Sequence, residues 1–421
     1  MEVFLSAIKK IMPEALQNVL RKLWHPLLST MFAVAAGMPA RSLTVVGING
    51  TKGKSTTAEM LFAILRKAGH TTALASTIRF AVGETSEANL FKMTMPGRGY
   101  VQRFLARALK KGATHAVVEL TTEGAREWRH RFLSLNGLIM LNVQKEHIER
   151  FGSFEKYVRA KWWLVKELER SKKPNRTIVV HNEGENAAFS NACVENKIDF
   201  SKENFEKIVH SESGVVFVYK GVEFTVHLPG EFNALNALAA IKVAEQLGVS
   251  LEIAAQALDE LKRVPGRLEQ IDEGQLFKVI VDYAHTPDSL EALYSAFPKS
   301  KKVCVLGNTG GGRDKWKRPE MGALADALCE TVILTDEDPY DENPEEIVSD
   351  MAKGMKRKPT IIMDRREAIH KALTIAGEGD VVLISGKGTD PYIMKAKGQK
   401  IPWSDAQVVK EELARILEKA V

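Results

Sequence analysis

Residues 44–57 carry the most chemistry in the chain. A β-branched apolar run breaks into the turn Gly47-Ile48-Asn49-Gly50-Thr51-Lys52-Gly53-Lys54-Ser55-Thr56, and Ala58, Met60, Leu61, Ile64 and Leu65 follow at helical spacing. Strand, glycine-rich turn and helix in that order make a phosphate loop, because N–H groups of the turn and of the helix start surround phosphate oxygens. In such a loop Lys54 reaches the β- and γ-phosphates and the Ser55 hydroxyl ligates Mg²⁺. The outer glycine is Gly47, one place off the common spacing, so this is a variant loop. The chemistry implied is binding of a nucleoside triphosphate.

Other candidates lie at the ends of apolar runs. Glu119 closes Ala116-Val117-Val118-Glu119. A carboxylate at the carboxyl end of a parallel strand can hold Mg²⁺ or a water. Asn142, Glu146 and His147 follow the next run; His147 reads as a metal ligand or general base, although a lone histidine is more often structural. Lys161, beside Tyr157, Trp162 and Trp163, reads on its own as a surface lysine. Further on, Asp282-Tyr283-Ala284-His285-Thr286-Pro287-Asp288, the glycine-rich 307–315 with Arg313, and Gly386-Lys387-Gly388-Thr389-Asp390 each follow an apolar run. Their bases suit a carboxylate or phosphate.

The elements that must position these groups form an α/β chain. Strands are predicted at 43–46, 72–76, 115–119, 137–141 and 177–180 with helices between, a largely parallel sheet with ligands at the carboxyl ends of its strands. Residues 215–219 and 222–227 predict a hairpin, followed by helices near 234–247 and 251–261. A boundary falls at Val264-Pro265-Gly266. Beyond it strands at 278–282, 302–307, 331–335, 360–363 and 381–385 predict a second, Rossmann-like α/β domain. The expected organisation is N-terminal amphipathic helices over 1–39, a central P-loop ATPase domain over 40–265 and a C-terminal domain over 266–421. Residues 1–39 favour a helical pair packed on the domain, with peripheral membrane or partner contact as the alternative; Lys9, Lys10, Arg21 and Lys22 mark the polar side.

The totals exclude several classes. The chain has 421 residues, is 45% hydrophobic and 27% charged, and carries a net charge of +6. That balance does not argue for nucleic acid, since no basic stretch is interleaved with aromatics. No stretch reaches the roughly 18 apolar residues of a spanning helix. Cys193, Cys304 and Cys329 lack metal or disulfide-framework spacing, so buried thiols are expected for Cys304 and Cys329 in a reducing cytoplasm.

Taken together, these motifs resemble the Mur ligase family from about residue 42 to the C-terminus, with most likeness to its MurE-type members. Asn49-Gly50-Thr51-Lys52-Gly53-Lys54-Ser55-Thr56 resembles the family's loop, with Lys52 replacing asparagine. The resemblance implies magnesium binding by Glu119 and His147, and a CO₂-carbamylated Lys161 that helps hold a second Mg²⁺. It implies nucleotide contacts from Asn233, Asn236, Arg267, Asp282 and His285. Thr94 lies in Thr94-Met95-Pro96, which resembles the segment touching the acceptor, and Arg313, Asp338, Tyr340, Gly386 and Asp390 would hold the amino acid.

The resemblance implies ATP-driven amide formation through an acyl phosphate, on a peptidoglycan-precursor-like acceptor; use of ATP points to the cytoplasm, and a monomer or weak dimer is expected. Departures from the pattern matter. The family's MurE-type members begin with a front domain that grips a UDP-sugar, whereas 1–39 reads as helices, so a polyglutamate, folate or lipid-linked acceptor is the alternative. A non-catalytic nucleotide-binding scaffold is a third reading, disfavoured by Lys54, Glu119, His147 and Lys161 occurring together. Glu337-Asp338-Pro339-Tyr340 replaces Asp-Asn-Pro-Arg, and Thr121-Thr122-Glu123 replaces Ser-Ser-His. The acids Glu337, Asp338 and Asp341 would suit a cationic amino acid such as lysine.

Overall fold

The computed structural model describes residues 14–97, 99–144 and 151–418, with side chains from Trp24 onward. The described residues open on helix α1 (Glu14–Ala35); the helix expected before Pro13 lies outside them. Phe32 of α1 sits so close to Gly99 that a Cβ there would strike it, and the Ser29 hydroxyl donates to the Trp128 carbonyl at 3.0 Å. No described helix is long and apolar enough to cross a membrane.

The first sheet has eight strands: β1 (Thr44–Asn49), β2 (Thr72–Ala75), β3 (Arg79–Val82), β4 (Thr85–Ala88), β5 (His115–Glu119), β6 (Gly137–Met140), β7 (Thr177–His181) and β8 (Asn196–Phe200). Their order is β4-β3-β2-β5-β1-β6-β7-β8, and every pairing from β2 to β8 is parallel. Strand β1 lies between β5 and β6, where the winding reverses, so the turn after it opens into a crevice at the sheet's carboxyl edge. The register sets Ile48 beside Glu119, which brings that carboxylate to the turn. Gly47 is needed at mid-strand because a Cβ there would strike Leu120. Helices α2 (Lys54–Lys67), α3 (Tyr100–Lys110), α4 (Thr122–Arg126) and α5 (Phe154–Glu169) lie between these strands in the chain. The Ser153 hydroxyl caps α5 by accepting from the Lys156 N–H.

The predicted hairpin gains a third strand: β9 (Lys207–Ser211), β10 (Gly214–Tyr219) and β11 (Val222–Val226) form an antiparallel sheet. Helices α6 (Glu231–Gln246) and α7 (Leu251–Glu260) follow. The second domain is a six-stranded sheet of β12 (Glu269–Ile271), β13 (Lys278–Val281), β14 (Lys302–Leu306), β15 (Thr331–Leu334), β16 (Thr360–Ile361) and β17 (Val381–Ile384), in the order β12-β13-β17-β14-β15-β16. All but β12 pair in parallel. The turns after β13, β14, β15 and β17 therefore emerge at one edge, which gathers 282–288, 307–315, 335–341 and 385–390. Helices α8 (Pro287–Ser295), α9 (Lys317–Leu328), α10 (Pro344–Ala352), α11 (Arg365–Ile375) and α12 (Asp405–Glu418) cover the sheet. One apolar cluster runs from the α2 and α6 side of the first sheet, through Leu290, Leu293 and Tyr294, into the second domain.

The cysteine expectation is corrected. Cys304 and Cys329 are bonded to each other with Cα atoms 6.2 Å apart, and only Cys193 is free. Cys329 follows α9 in extended conformation, which turns it toward β14. Twenty-five residues of separation carry no pairing signal in sequence.

Candidate active site

The phosphate loop is shaped by close packing. Gly53 sits at φ +82°, and a Cβ there would collide with Asn236 Oδ1. Asn236 donates to Asn233 Oδ1 at 3.2 Å, and Asn233 donates to the Pro229 carbonyl at 2.8 Å, so α6 presents both amides to the loop. Gly50 lies against Leu141, with no room for a side chain. Asn142 clamps Lys52, accepting from its N–H at 2.8 Å and donating to its carbonyl at 3.1 Å. Thr51 is held by its hydroxyl, 3.3 Å from the Tyr157 hydroxyl and accepting from the Gln144 N–H at 3.0 Å. Lys54 Nζ folds over the loop onto the Gly50 and Thr51 carbonyls at 2.9 and 3.0 Å, and Thr56 is buried in the first turn of α2.

Beside the loop, the Ser55 hydroxyl lies 3.1 Å from both carboxylate oxygens of Glu119. Glu119 also accepts from the Thr77 N–H at 2.8 Å and hydroxyl at 2.9 Å, and Thr77 in turn meets Thr94 at 2.7 Å. Arg267 of the second domain donates to Ser55 Oγ at 3.3 Å and lies over the Tyr283 ring. Buried hydroxyl and carboxylate oxygens of this kind suit a hard divalent cation. Among the described residues no group of three metal-ligating side chains forms. His147 and Glu146 lie outside them.

Lys161 is not the surface lysine that its neighbours alone suggest. It is 0% exposed; its Nζ donates to Asn49 Oδ1 at 3.0 Å and lies 4.9 Å from the centre of the Tyr157 ring. Asn49 is fixed by donating to the Leu120 carbonyl at 2.9 Å. A carbamate on Nζ would keep the N–H that Asn49 accepts, so this surrounding fits the modification.

In the second domain, Asp282 accepts from the Leu268 and Ala284 N–H groups, both at 2.7 Å, and burial raises its carboxyl above the usual range. His285 Nδ1 donates to the Tyr283 carbonyl at 2.7 Å. Tyr283 is pushed up by Asp390 and by burial. Asp338 takes both carboxylate bonds from Lys387 Nζ at 2.9 Å and one from the Met394 N–H at 2.7 Å. Lys92, reaching over from the first domain, also binds Asp338 and lies 3.2 Å from Asp390. Burial pushes Asp338 up, and Lys387 and Lys92 outweigh it, leaving the carboxyl below its ordinary range. Glu337 is raised by burial and by Asp338, and its Oε2 has no hydrogen-bond partner. Gly386, at φ +106°, leaves room for that oxygen. Tyr340 stands by the Lys92 ammonium, and Arg313 forms no hydrogen bond or ion pair among the described residues.

A single cavity of about 440 Å³ joins these groups. Residues 50–56, Glu119, Thr94, Asn233 and Asn236 line it from the first domain, and Arg267, Asp282, His285, Arg313 and Asp390 from the second. Thr121, Thr122 and Glu123 lie on it as well. Lys161, Asp338, Tyr340 and Gly386 stand behind the lining rather than on it. Sequence reasoning missed Thr77 and Lys92. Neither carries a motif; Lys92 sits two residues before Thr94, and that proximity was the available signal.

Residues 48–244 match the Mur ligase middle domain and residues 266–388 the Mur ligase, glutamate ligase domain. The chain is 35% identical over 389 residues to the UDP-N-acetylmuramoyl-L-alanyl-D-glutamate–2,6-diaminopimelate ligase of Aquifex aeolicus, covering 90% of this chain and 79% of that protein. A solved structure of a ligase of that name superposes with a TM-score of 0.60 at 27% identity, covering 89% of this chain and 79% of the other. The fold is shared as well with Mycobacterium tuberculosis folylpolyglutamate synthase complexed with ADP, at a TM-score of 0.71 and 17% identity over 93% and 94% of the two chains. The chain belongs to the Mur ligase family and is a MurE-like, ATP-dependent ligase.

Proposed function

We propose that the chain joins an amino acid to a carboxylate of a peptidoglycan-precursor-like acceptor at the expense of ATP. The observation that carries this reading is one cavity lined by the phosphate loop on one side and by Arg313 and Asp390 on the other. An acceptor carboxylate oxygen attacks the γ-phosphorus and ADP leaves. The amine of the amino acid then attacks the acyl carbon, loses a proton and expels phosphate. Lys54 stabilises charge on the transferring phosphoryl group. Ser55 and Glu119 would hold Mg²⁺, which supplies charge neutralisation at the phosphates, and His147 with a carbamylated Lys161 would hold a second ion. Arg267 bridges from the second domain to Ser55, so approach of the domains completes the site and keeps water from the acyl phosphate.

The amino-acid side has a definite charge balance. Asp338 and Asp390 are met by Lys92 and Lys387, while Arg313, on the cavity, feels Asp390 and Asp338 through space without a hydrogen bond to either. That balance supports capture of the amino acid's carboxylate by Arg313 and weakens the expectation of a cationic side chain. A second reading, an apolar or lipid-linked acceptor, is favoured by the exposed Leu90, Phe91 and Met93 just before Thr94, with Met93 on the cavity. Use of ATP places the reaction in the cytoplasm, and a monomer or weak dimer suffices for it.

The test is phosphate release from ATP with UDP-MurNAc-dipeptide and a panel of amino acids, beside folate, polyglutamate and lipid-linked acceptors. Amino-acid-dependent release with the muramyl acceptor is expected. Turnover with the lipid-linked acceptor alone would transfer the function to the second reading, and turnover with folate or polyglutamate alone would overturn both.

A further inference from the structure

Helix α1 uses only one side to pack. Phe32 and Ser29 face the first domain, while Trp24, Leu27, Met31 and Val34 are each at least half exposed. At 100° per residue these four fall within an arc of roughly 80°, one continuous apolar stripe. Isolated exposed apolar residues need no explanation, whereas a stripe over three helical turns marks an interaction face. Next to it, helix α3 presents Arg103, Arg107 and Lys110 to solvent, and Lys111 follows at its C-terminus. The two helices are joined by Arg103, whose guanidinium lies over the Phe32 ring. Arg107 is met by Glu87 at 3.5 Å, and Lys111 donates to the Thr85 hydroxyl at 3.4 Å. The exposed Phe91 packs on Tyr100, the first residue of α3, so the cavity mouth lies near this face.

We propose that α1 and the cationic face of α3 form a docking surface for an anionic lipid bilayer. A helix with a Trp-bearing apolar stripe beside a row of Arg and Lys lies in the plane of a membrane interface, with its apolar side among the acyl chains and the cations against headgroup phosphates. The charge of the row selects anionic lipid over a second copy of the same cationic surface, which it would repel. The surface is peripheral, since no described helix can span.

The experiment is co-sedimentation of the full chain with phosphatidylcholine vesicles, with and without phosphatidylglycerol. Binding to the phosphatidylglycerol vesicles is expected at low salt and should fall at high salt. The double variant Leu27→Glu/Met31→Glu should lower the bound-to-free ratio at least tenfold, and Lys110→Glu/Lys111→Glu should lower it on anionic vesicles only. Both should keep the wild-type melting temperature, and their ATP-dependent phosphate release should be unchanged. A wild-type chain that stays in the supernatant with anionic vesicles overturns the proposal. So does a wild-type dimer that Leu27→Glu/Met31→Glu turns into a monomer, which would assign the stripe to a second copy. So would shielding of Trp24 from acrylamide, read against Trp24→Phe without vesicles, that is lost when residues 1–13 are deleted; that segment would then be the cover.

Discussion

Lys92 of the first domain lies 3.2 Å from Asp390 of the second and also binds Asp338, so one ammonium joins the two lobes across the cavity. Burial lowers the proton affinity of Lys92, but Asp390 and Asp338 more than reverse that, so it stays charged. Bonds to a charged partner contribute about 1.5–3 kcal/mol, or roughly 10- to 100-fold in an opening equilibrium. Lys92→Met should shift the ligand-free protein toward open forms, seen as a larger radius in small-angle scattering. An unchanged radius would show that other contacts, such as Glu212 with Lys278 and Ser300, hold the lobes alone.

Glu119→Gln tests the metal assignment with little disturbance of shape. A glutamine can still accept from Thr77 and face Ser55, so folding should be retained while the anionic charge is lost. The expected outcome is a loss of about 10²- to 10³-fold in phosphate release, the scale for removing one electrostatic group, with a raised Mg²⁺ requirement. A variant whose Mg²⁺ titration matched the wild type would remove Glu119 from the metal site.

Arg365 and Asp405 form a bidentate ion pair at 2.8 and 2.7 Å, with exposures of 1% and 0%. Arg365→Met leaves a buried carboxylate without its counterion and should destabilise by about 3–5 kcal/mol. Arg365→Met/Asp405→Leu should recover much of that loss in denaturant titration, although Trp403 Nε1 then lacks its 2.8 Å acceptor. If the double variant is no more stable than the single one, the pair is not the source of the loss.

His130 sets an acid limb. Burial, assisted by Arg131 and Arg170, lowers its imidazole to about 3, and Nδ1 has no hydrogen-bond partner. The unfolded chain, with an ordinary histidine near 6.5, therefore binds more protons than the folded one between about pH 3 and 6.5. Stability contributed by neutral His130 is full above pH 6.5 and is lost as pH falls through that window. His130→Leu should flatten this part of the stability profile by a few kcal/mol; a limb of unchanged slope would place the acid sensitivity elsewhere.

The sequence by itself determined the α/β class, the second α/β domain after the first, and the strand, glycine-rich turn and helix of residues 44–67. Those features are local: periodicity marks the strands and helices, and a strand-turn-helix with Gly, Lys and Ser in order needs no distant partner. Glu119 was legible for the same reason, as a strand-end acid. Edge strands such as β4 and β9 were not, because short, exposed strands bury too little to leave a pattern. Only the tertiary structure decided that Lys161 is fully buried against Asn49 and Tyr157, that Cys304 and Cys329 are bonded, and that Lys92 and Lys387 already answer the acids of the second domain. Each of these joins residues far apart in the chain, and their burial and charge depend on partners that no local spacing specifies.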